Sequence, residues 1–192
     1  MFSLIKKASI LIAVVVVGCS QQRQPVAKAF YDIDSLVSAQ QKFLQTSGHK
    51  LVKSVRIDHK TDETSFVPDS LQWTYELDIF RSLDQINKAA FSDAYTVTDS
   101  RDANSNLTVR EYKANRPAPV SIVRLYFLKT PKDLRKIEGT LTEENTLYIN
   151  DRRMIMELDH LHLISNYRIE GSQKMVMSDS VQFVITGDVG IK

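Results

Sequence analysis

The chain has 192 residues, with 25 Lys and Arg, 23 Asp and Glu and a single cysteine. Two of the basic residues and none of the acidic ones lie within residues 1–18, so the rest of the chain has 25 − 2 = 23 basic against 23 acidic residues and no net charge. This balance argues against nucleic-acid binding, which needs a concentrated basic face. One cysteine also excludes an intramolecular disulfide.

The first element is an export signal. Lys6 and Lys7 precede an apolar run over residues 8–17, which ends at Gly18 and Cys19. A positive start, an apolar core and a small residue before the cut are typical of a secretory signal. The run is much shorter than the roughly 20 residues of a membrane-spanning helix. The pattern therefore predicts a cleaved signal rather than a permanent membrane helix.

The end of this signal, Val16-Val17-Gly18-Cys19, resembles the lipobox of bacterial lipoproteins. The resemblance implies cleavage between Gly18 and Cys19, diacylglycerol on the Cys19 thiol and a fatty acyl group such as palmitate on the new amino terminus. The alternative is a chance cysteine beside an ordinary cleavage site. Two or more acyl chains would give stable membrane anchoring, which one chain does not.

The predicted organisation is a signal peptide over residues 1–18, a lipidated cysteine and polar tether over 19–27, and a single domain over 28–192. The tether is polar and contains Pro25, so we expect it to be extended. The lipobox resemblance implies a lipid-anchored location in the cell envelope, at the outer membrane, and the lack of an acidic cluster after Cys19 favours the side facing the periplasm.

Two helices are predicted before the strands. Phe30, Ile33, Val37 and Leu44 recur at helical spacing over about 28–46, and Gly48 is a fitting end. This amphipathic helix could lie on a membrane, but its polar face has few basic residues, which favours packing on the protein's own sheet.

Residues 51–57 predict a strand and residues 59–65 a polar turn. A second helix, capped by Asp69 or Ser70, should run to about Asn87. Its Trp73 has two interpretations, a core aromatic or a ligand-stacking residue, and the core is favoured.

From Ala94 onward the apolar period changes to two, which indicates strands. The candidate strands are residues 94–100, 107–114, 119–129, 134–142, 146–158, 161–173 and 180–188. Short turns between them favour antiparallel neighbours. The predicted fold is α+β, with two N-terminal helices packed on a curved antiparallel β-meander of about six to seven strands.

The strand over residues 119–128 is apolar on both faces, which predicts either a central strand covered on both sides or an apolar cavity between sheet and helices. The predicted lining of such a ligand pocket is Trp73, Phe80, Ile122, Tyr126 and Leu128. Curved sheets covered by helices occur in bacterial lipid-handling lipoproteins, and the similarity here is at the level of the fold alone.

A closer resemblance involves residues 71–90, where Trp73-x-x-Glu76-Leu77-x-x-Phe80 is followed by Asp84-Gln-Ile-Asn-Lys. This segment resembles uncharacterised Bacteroidetes-type lipoproteins, in which a Trp-x-x-Glu-Leu-x-x-Phe helix leads into an Asp-Ile-Asn-Lys-Pro turn. Gln85 is an insertion and Ala89 replaces the proline. Residues 171–174 also resemble that group. The resemblance implies no activity.

Catalytic and metal-binding patterns are weak. Asp159, His160 and His162 are the best metal candidates, but a catalytic zinc needs a third convergent ligand, and exposed histidines at a turn are the favoured interpretation. Nucleophile-elbow and phosphate-loop motifs are absent. No cofactor is predicted.

Three classes of function therefore remain. The favoured one is a non-catalytic lipoprotein that binds a partner protein or a hydrophobic ligand between sheet and helices. The first alternative is a structural or assembly lipoprotein that docks to another envelope protein through an exposed edge or face. The second is an enzyme whose carboxylates and histidines converge only in three dimensions.

Overall fold

Local signals set the limits of helix α1, Ile33–Ser47, in the computed structural model, which describes residues 28–190. The Asp32 side chain accepts a hydrogen bond from the Ser35 N–H and caps the first turn. Gly48 ends the helix with a φ of 66°, a conformation that glycine adopts without a steric penalty. The helix begins five residues later than the sequence predicted, because residues 28–32 instead contact the segment around Asp84.

Helix α2, Ser70–Asp78, begins with a reciprocal capping box between Asp69 and Gln72. The sequence predicted one helix as far as Asn87, but from Ile79 to Asn87 the chain continues as a 3-10 helix. Phe80, Leu83 and Ile86 are all buried, and they lie three residues apart. A helix with three residues per turn places all three on one face, so the narrower helix suits this spacing. A short 3-10 turn, Ala89–Phe91, follows.

Nine strands form one antiparallel sheet. They are β1 Lys50–Ile57, β2 Lys60–Phe66, β3 Tyr95–Arg101, β4 Thr108–Ala114, β5 Val120–Phe127, β6 Leu134–Glu144, β7 Tyr148–Leu158, β8 Ile164–Met175 and β9 Val181–Gly190. Their order across the sheet is β2-β1-β9-β8-β7-β6-β5-β4-β3. Strands β3 to β9 therefore each pair with the next strand along the chain, and the hairpin β1–β2 is added beside β9.

The predicted architecture was wrong in two respects. The sheet has nine strands rather than six or seven, and the helices are not an N-terminal pair, because β1 and β2 lie between α1 and α2. Residues 59–65 were predicted to be a turn, but most of them belong to β2. This strand is exposed along almost its whole length, so its sequence lacks the apolar alternation by which half-buried strands are recognised.

The two faces of the sheet differ. The inner face carries α1, α2 and the 3-10 helix, and its buried residues include Val123, Ile137, Met154, Tyr167 and Ile169. Cross-strand pairing extends this face to β9 and β1, since Ile169 is opposite Ile185 and Ile185 is opposite Val55. The outer face carries cross-strand ion pairs, such as Arg153 with Glu138.

The turns between the strands lie at two opposite ends of the sheet. The turns β1–β2, β4–β5, β6–β7 and β8–β9 lie at one end, called here the upper end, and the turns β3–β4, β5–β6 and β7–β8 lie at the lower end. Helix α1 begins near the upper end, because Phe30 packs edge-on against Tyr95, the first residue of β3, with ring centroids 5.7 Å apart.

Candidate ligand-binding site

The helices cover only part of the inner face. Beneath them, Trp73, Leu77 and Leu83 have no exposed surface. The Leu83 side chain lies so close to Gly139 of β6 that a Cβ at residue 139 would be 2.4 Å from Leu83 Cδ2. This part of the face is a filled core with native-like close packing.

The uncovered part lies toward the upper ends of β8, β9 and β1. It contains an apolar hollow of about 340 Å³, within the range of ligand pockets. Its lining residues are Val55, Ile57, Gln173, Met175, Ser178, Val181, Phe183 and Ile185. Ile57 and Met175 are each half exposed, so this apolar surface remains in contact with water. It is called here the apolar hollow.

A second, larger hollow of about 1150 Å³ follows the β1–β2 hairpin and shares Val55 and Ile57 with the first. Its other lining residues are predominantly polar, including Lys60, Asp62 and Thr64, which lie on the inner face of β2. The apolar and polar hollows are therefore continuous. Together they form a trough that is apolar over β8–β9 and polar along β2.

A polar group separates the trough from the filled core. The Tyr167 hydroxyl donates a hydrogen bond to Glu76 Oε2 at 2.7 Å, and Lys53 Nζ lies 2.6 Å from Glu76 Oε1. Burial, followed by the hydrogen bond to Glu76, raises the pKa of Tyr167 far above its usual value, so the hydroxyl keeps its proton. These contacts connect α2 to β8 and β1 at the border of the trough.

Gly187 makes this arrangement possible. The Tyr167 ring lies across the backbone of β9, and a Cβ at residue 187 would be 2.3 Å from the ring. A side chain there would displace the tyrosine from Glu76. The glycine therefore has a packing role at the edge of the trough rather than a turn role.

The structure does not bring the five predicted pocket residues together. Trp73 and Phe80 are fully buried in the core on the inner face. Ile122 and Tyr126 lie on the opposite side of β5 from Val123, Leu125 and Phe127, which face the core, and Leu128 follows the last residue of the strand. Tyr126 instead contacts outer-face groups, since its hydroxyl lies 3.3 Å from Glu138 Oε2.

The residues that line the apolar hollow were not predicted as a site. The alternation of Val181, Phe183 and Ile185 places them on one face, but it carries no information about what covers that face. Met175 follows the predicted strand over 161–173 and so lay outside it. A signal for the hollow could have been found only in the excess of apolar residues at strand ends.

The histidine candidates lie at the lower end, in the turn between β7 and β8. Asp159 Oδ1 accepts hydrogen bonds from the backbone N–H groups of Leu161 and Leu163, so this carboxylate caps the turn. His162 has a φ of 63° within the same turn. Within residues 28–190 no three His, Cys, Asp or Glu side chains are grouped as metal ligands.

The segment over residues 71–90 has a structural role. Asp84 Oδ1 accepts a hydrogen bond from the Ile33 N–H at 3.1 Å, and Asn87 Oδ1 accepts one from the Phe30 N–H at 2.9 Å. Lys28 Nζ lies 2.8 Å from Asp84 Oδ2. The side chains of Asp84 and Asn87 therefore hold residues 28–33 against the 3-10 helix.

The predicted signal peptide and Cys19 lie outside the described residues, so the structure places neither. Within the described range, no helix has the length and apolarity required to cross a membrane.

Comparison with known proteins identifies no family. No protein-family model matches the chain, and no curated protein is detectably similar to it in sequence. Among solved structures, the chain is similar to a LolA superfamily protein from Nitrosomonas europaea, with 10% sequence identity, a TM-score of 0.29, and coverage of 85% of this chain and 94% of that one. A TM-score this low supports no conclusion about fold or function.

Proposed function

We propose that this chain is a non-catalytic lipoprotein of the cell envelope that binds an amphiphilic ligand in the trough. The apolar hollow over β8, β9 and β1 carries the proposal, because its side chains are only partly covered although they continue the apolar face of the core. An acyl or similar apolar chain would occupy this hollow. The ligand's polar group would lie along β2.

The free energy cost of leaving apolar surface in contact with water favours a bound ligand in the hollow. Each apolar square ångström left in water forgoes about 25 cal/mol of stabilisation, so a ligand that covers the side chains of Ile57, Phe183 and Met175 recovers part of it. Charged side chains at only one end of the trough fix the ligand's direction. This separation of apolar and polar lining favours an amphiphile over a wholly apolar molecule.

The membrane anchor is a separate part of the proposal. The lipobox resemblance at residues 16–19 supports lipidation of Cys19 and cleavage after Gly18, and the polar tether supports an outer-membrane protein facing the periplasm. Mass spectrometry of the amino-terminal peptide from the membrane fraction should show an acylated Cys19. A protein processed elsewhere and released without lipid would contradict the anchor, and Cys19→Ala is the matching control.

The ligand proposal is tested on a chain of residues 20–192, which retains every described contact of the fold. Purified from a bacterial periplasm without detergent, it should bind a dansyl-labelled fatty acid with a rise in fluorescence at about equimolar stoichiometry. Organic extraction and mass spectrometry of the same preparation should identify any amphiphile that copurifies.

Three matched substitutions locate the site. Phe183→Asp, in the hollow, should reduce affinity for the labelled fatty acid at least tenfold, because it puts a charge among apolar side chains. Leu161→Asp, at an exposed residue of the lower end, should leave affinity unchanged. Leu128→Asp, at one of the lining residues predicted from the sequence, should also leave affinity unchanged, because Leu128 does not line the trough. Binding that survives Phe183→Asp would refute the trough as the site.

The structural or assembly alternative has less support. The two edge strands of the sheet are β2 and β3, and both carry charged residues, among them Asp62, Glu63 and Asp99. Charged edges oppose the addition of a further strand from a partner. Asp99 is also paired with Arg110, which lowers the pKa of that carboxyl and keeps it charged.

A further inference from the structure

Two neighbouring turns at the upper end carry large exposed apolar side chains. Leu147 lies in the β6–β7 turn, and Val176 and Met177 lie in the β8–β9 turn. The Val176 N–H donates a hydrogen bond to the Leu147 carbonyl at 2.9 Å, so the two turns are side by side. Ile149 and Met175 are exposed beside them. These five residues are called here the apolar tip.

Met177 is the most unusual member of the apolar tip. Its side chain is fully exposed, and its φ of 67° lies in the left-handed region that glycine and asparagine adopt more easily. Neither property stabilises the fold. A methionine that is both strained and completely exposed indicates a role outside the folded chain.

The amino-terminal part of the chain joins the structure at this same end. Lys28 and Phe30 are held beside Tyr95 and Asp84, where β3 begins. Cys19 precedes Lys28 by nine residues, which span at most about 32 Å when fully extended. A lipid on Cys19 would therefore keep the upper end of the sheet close to the membrane surface.

The apolar tip is also continuous with the apolar hollow. Met175 belongs to both, and Val181 and Ser178 of the hollow lie on the other side of the β8–β9 turn. The hollow thus opens beside the tip. Met175 is the apolar side chain that connects the two surfaces.

We propose that the apolar tip inserts shallowly into the phospholipid bilayer and places the opening of the hollow at the membrane surface. The inference rests on the proposed function in one respect, since it takes the Cys19 lipid as the anchor. The anchor raises the local concentration of the tip at the bilayer, so a few apolar side chains are sufficient for contact. Nearby Glu144, Lys174 and Asp179 have mixed charge, so the contact needs no anionic lipid.

The first experiment uses the chain of residues 20–192, which contains no cysteine, so that one introduced cysteine can be labelled with the fluorophore NBD. An amino-terminal His-tag on nickel-chelating lipid replaces the natural anchor on phosphatidylethanolamine–phosphatidylglycerol vesicles. NBD on Met177→Cys should shift to the blue and brighten several-fold on attachment. NBD on Asn104→Cys, in the lower β3–β4 turn, should not change. Equal signals at both positions, or no change at residue 177, would overturn the inference.

The second experiment removes the apolar surface. With the same amino-terminal His-tag on each chain, the double variant Leu147→Asp/Met177→Asp should need at least fivefold more nickel-chelating lipid than the wild type for half-maximal flotation with vesicles. Leu161→Asp is the control, because Leu161 is 63% exposed and Leu147 is 67% exposed, but Leu161 lies at the lower end. Raising NaCl from about 0.1 M to about 0.5 M should change wild-type flotation little, since the contact is apolar. Undiminished flotation of the double variant would contradict the inference and point to another surface.

The two proposals can fail separately. The double variant should still bind the labelled fatty acid in vesicle-free solution, because Leu147 and Met177 do not line the hollow. Loss of flotation with ligand binding retained supports the tip, whereas normal flotation with no ligand binding anywhere refutes only the trough. An NBD change at residue 177 that requires added envelope proteins, and not vesicles, would overturn the bilayer as partner in favour of a protein.

Discussion

The covered and uncovered parts of the inner face are built from similar apolar residues, but only the covered part forms a filled core. Under the helices, Met154 and Ile169 are buried in the same core cluster as Phe80 and Leu83. On the neighbouring strands β9 and β1, Phe183 and Ile57 continue the same apolar face, but nothing in the described chain covers them fully. Apolar alternation therefore identifies a face of the sheet, while the element that covers the face decides whether it becomes core or binding surface.

The largest expected contrast comes from truncating one side chain in each part. Leu83→Ala should lower the free energy of unfolding by about 2–5 kcal/mol, because it leaves a cavity in a filled core. Phe183→Ala should cost less, about 1–2 kcal/mol, because its side chain packs against the core but is only partly buried. Urea denaturation of both variants measures the difference. Equal losses would show that the hollow is part of the core.

A substitution at Gly139 tests how tightly the covered part is packed. Gly139→Ala should cost about 1–3 kcal/mol, because its Cβ overlaps the Leu83 side chain. In the double variant with Leu83→Ala, that steric cost should largely disappear, so the two effects should be clearly non-additive. Additive losses in a double-mutant cycle would mean that the β6 backbone moves instead of Leu83.

The border between the two parts depends on Tyr167. Tyr167→Phe removes the donor to Glu76 and should cost about 1–2 kcal/mol. The pKa of Tyr167 is higher in the folded than in the unfolded chain, so its contribution to stability is present below pH about 10 and is lost as the pH rises above that value.

Burial also raises the pKa values of Tyr95 and Tyr112, so the wild type should lose stability in alkali through several groups. In Tyr167→Phe the free energy of unfolding should fall less between about pH 9 and about pH 11 than in the wild type. These pH values lie about one unit on either side of the usual tyrosine pKa, and urea denaturation at each measures the difference. An unchanged alkaline slope would show that Tyr167 does not hold its proton as described.

The smallest expected effect is local and concerns the attachment of the amino-terminal part. Asp84→Ala removes the acceptor for Lys28 and the Ile33 N–H and should cost about 1 kcal/mol. Hydrogen exchange should accelerate over residues 28–33 and stay unchanged in β6 and β7. Lys60→Ala, on the exposed edge strand β2, is a control for a charge change without this contact. Accelerated exchange throughout the sheet would contradict a purely local role.

Much of the secondary structure could be predicted from local patterns. Seven predicted strand ranges correspond to β3–β9, and the cap at Asp69 and the helix end at Gly48 are confirmed. These features depend on contacts within a few residues, which the sequence displays directly. β2 could not be predicted, because an exposed edge strand is polar on both faces.

The site could not be predicted for a different reason. The predicted lining combined Trp73 and Phe80 of the helices with Ile122, Tyr126 and Leu128, whose alternation places them on the side of the strand away from the helices. Alternation shows that two faces exist and not which one the helices cover. The apolar tip was likewise invisible, because Leu147 and Val176 are far apart in sequence and become neighbours only when β7 pairs with β8.

The sequence by itself determined the strand periodicity and the helix caps, which act over short stretches of chain, and the balance of charge. The export signal and the lipobox resemblance stay predictions from the same sequence. Only the tertiary structure decided that β9 pairs with β1, bringing Val55 beside Ile185, and that the helices stop short of Phe183. The entropy of closing so long a loop is offset by burial summed over the whole sheet. No local sequence pattern reports this summed burial, so the trough depends on the whole fold and not on any one segment.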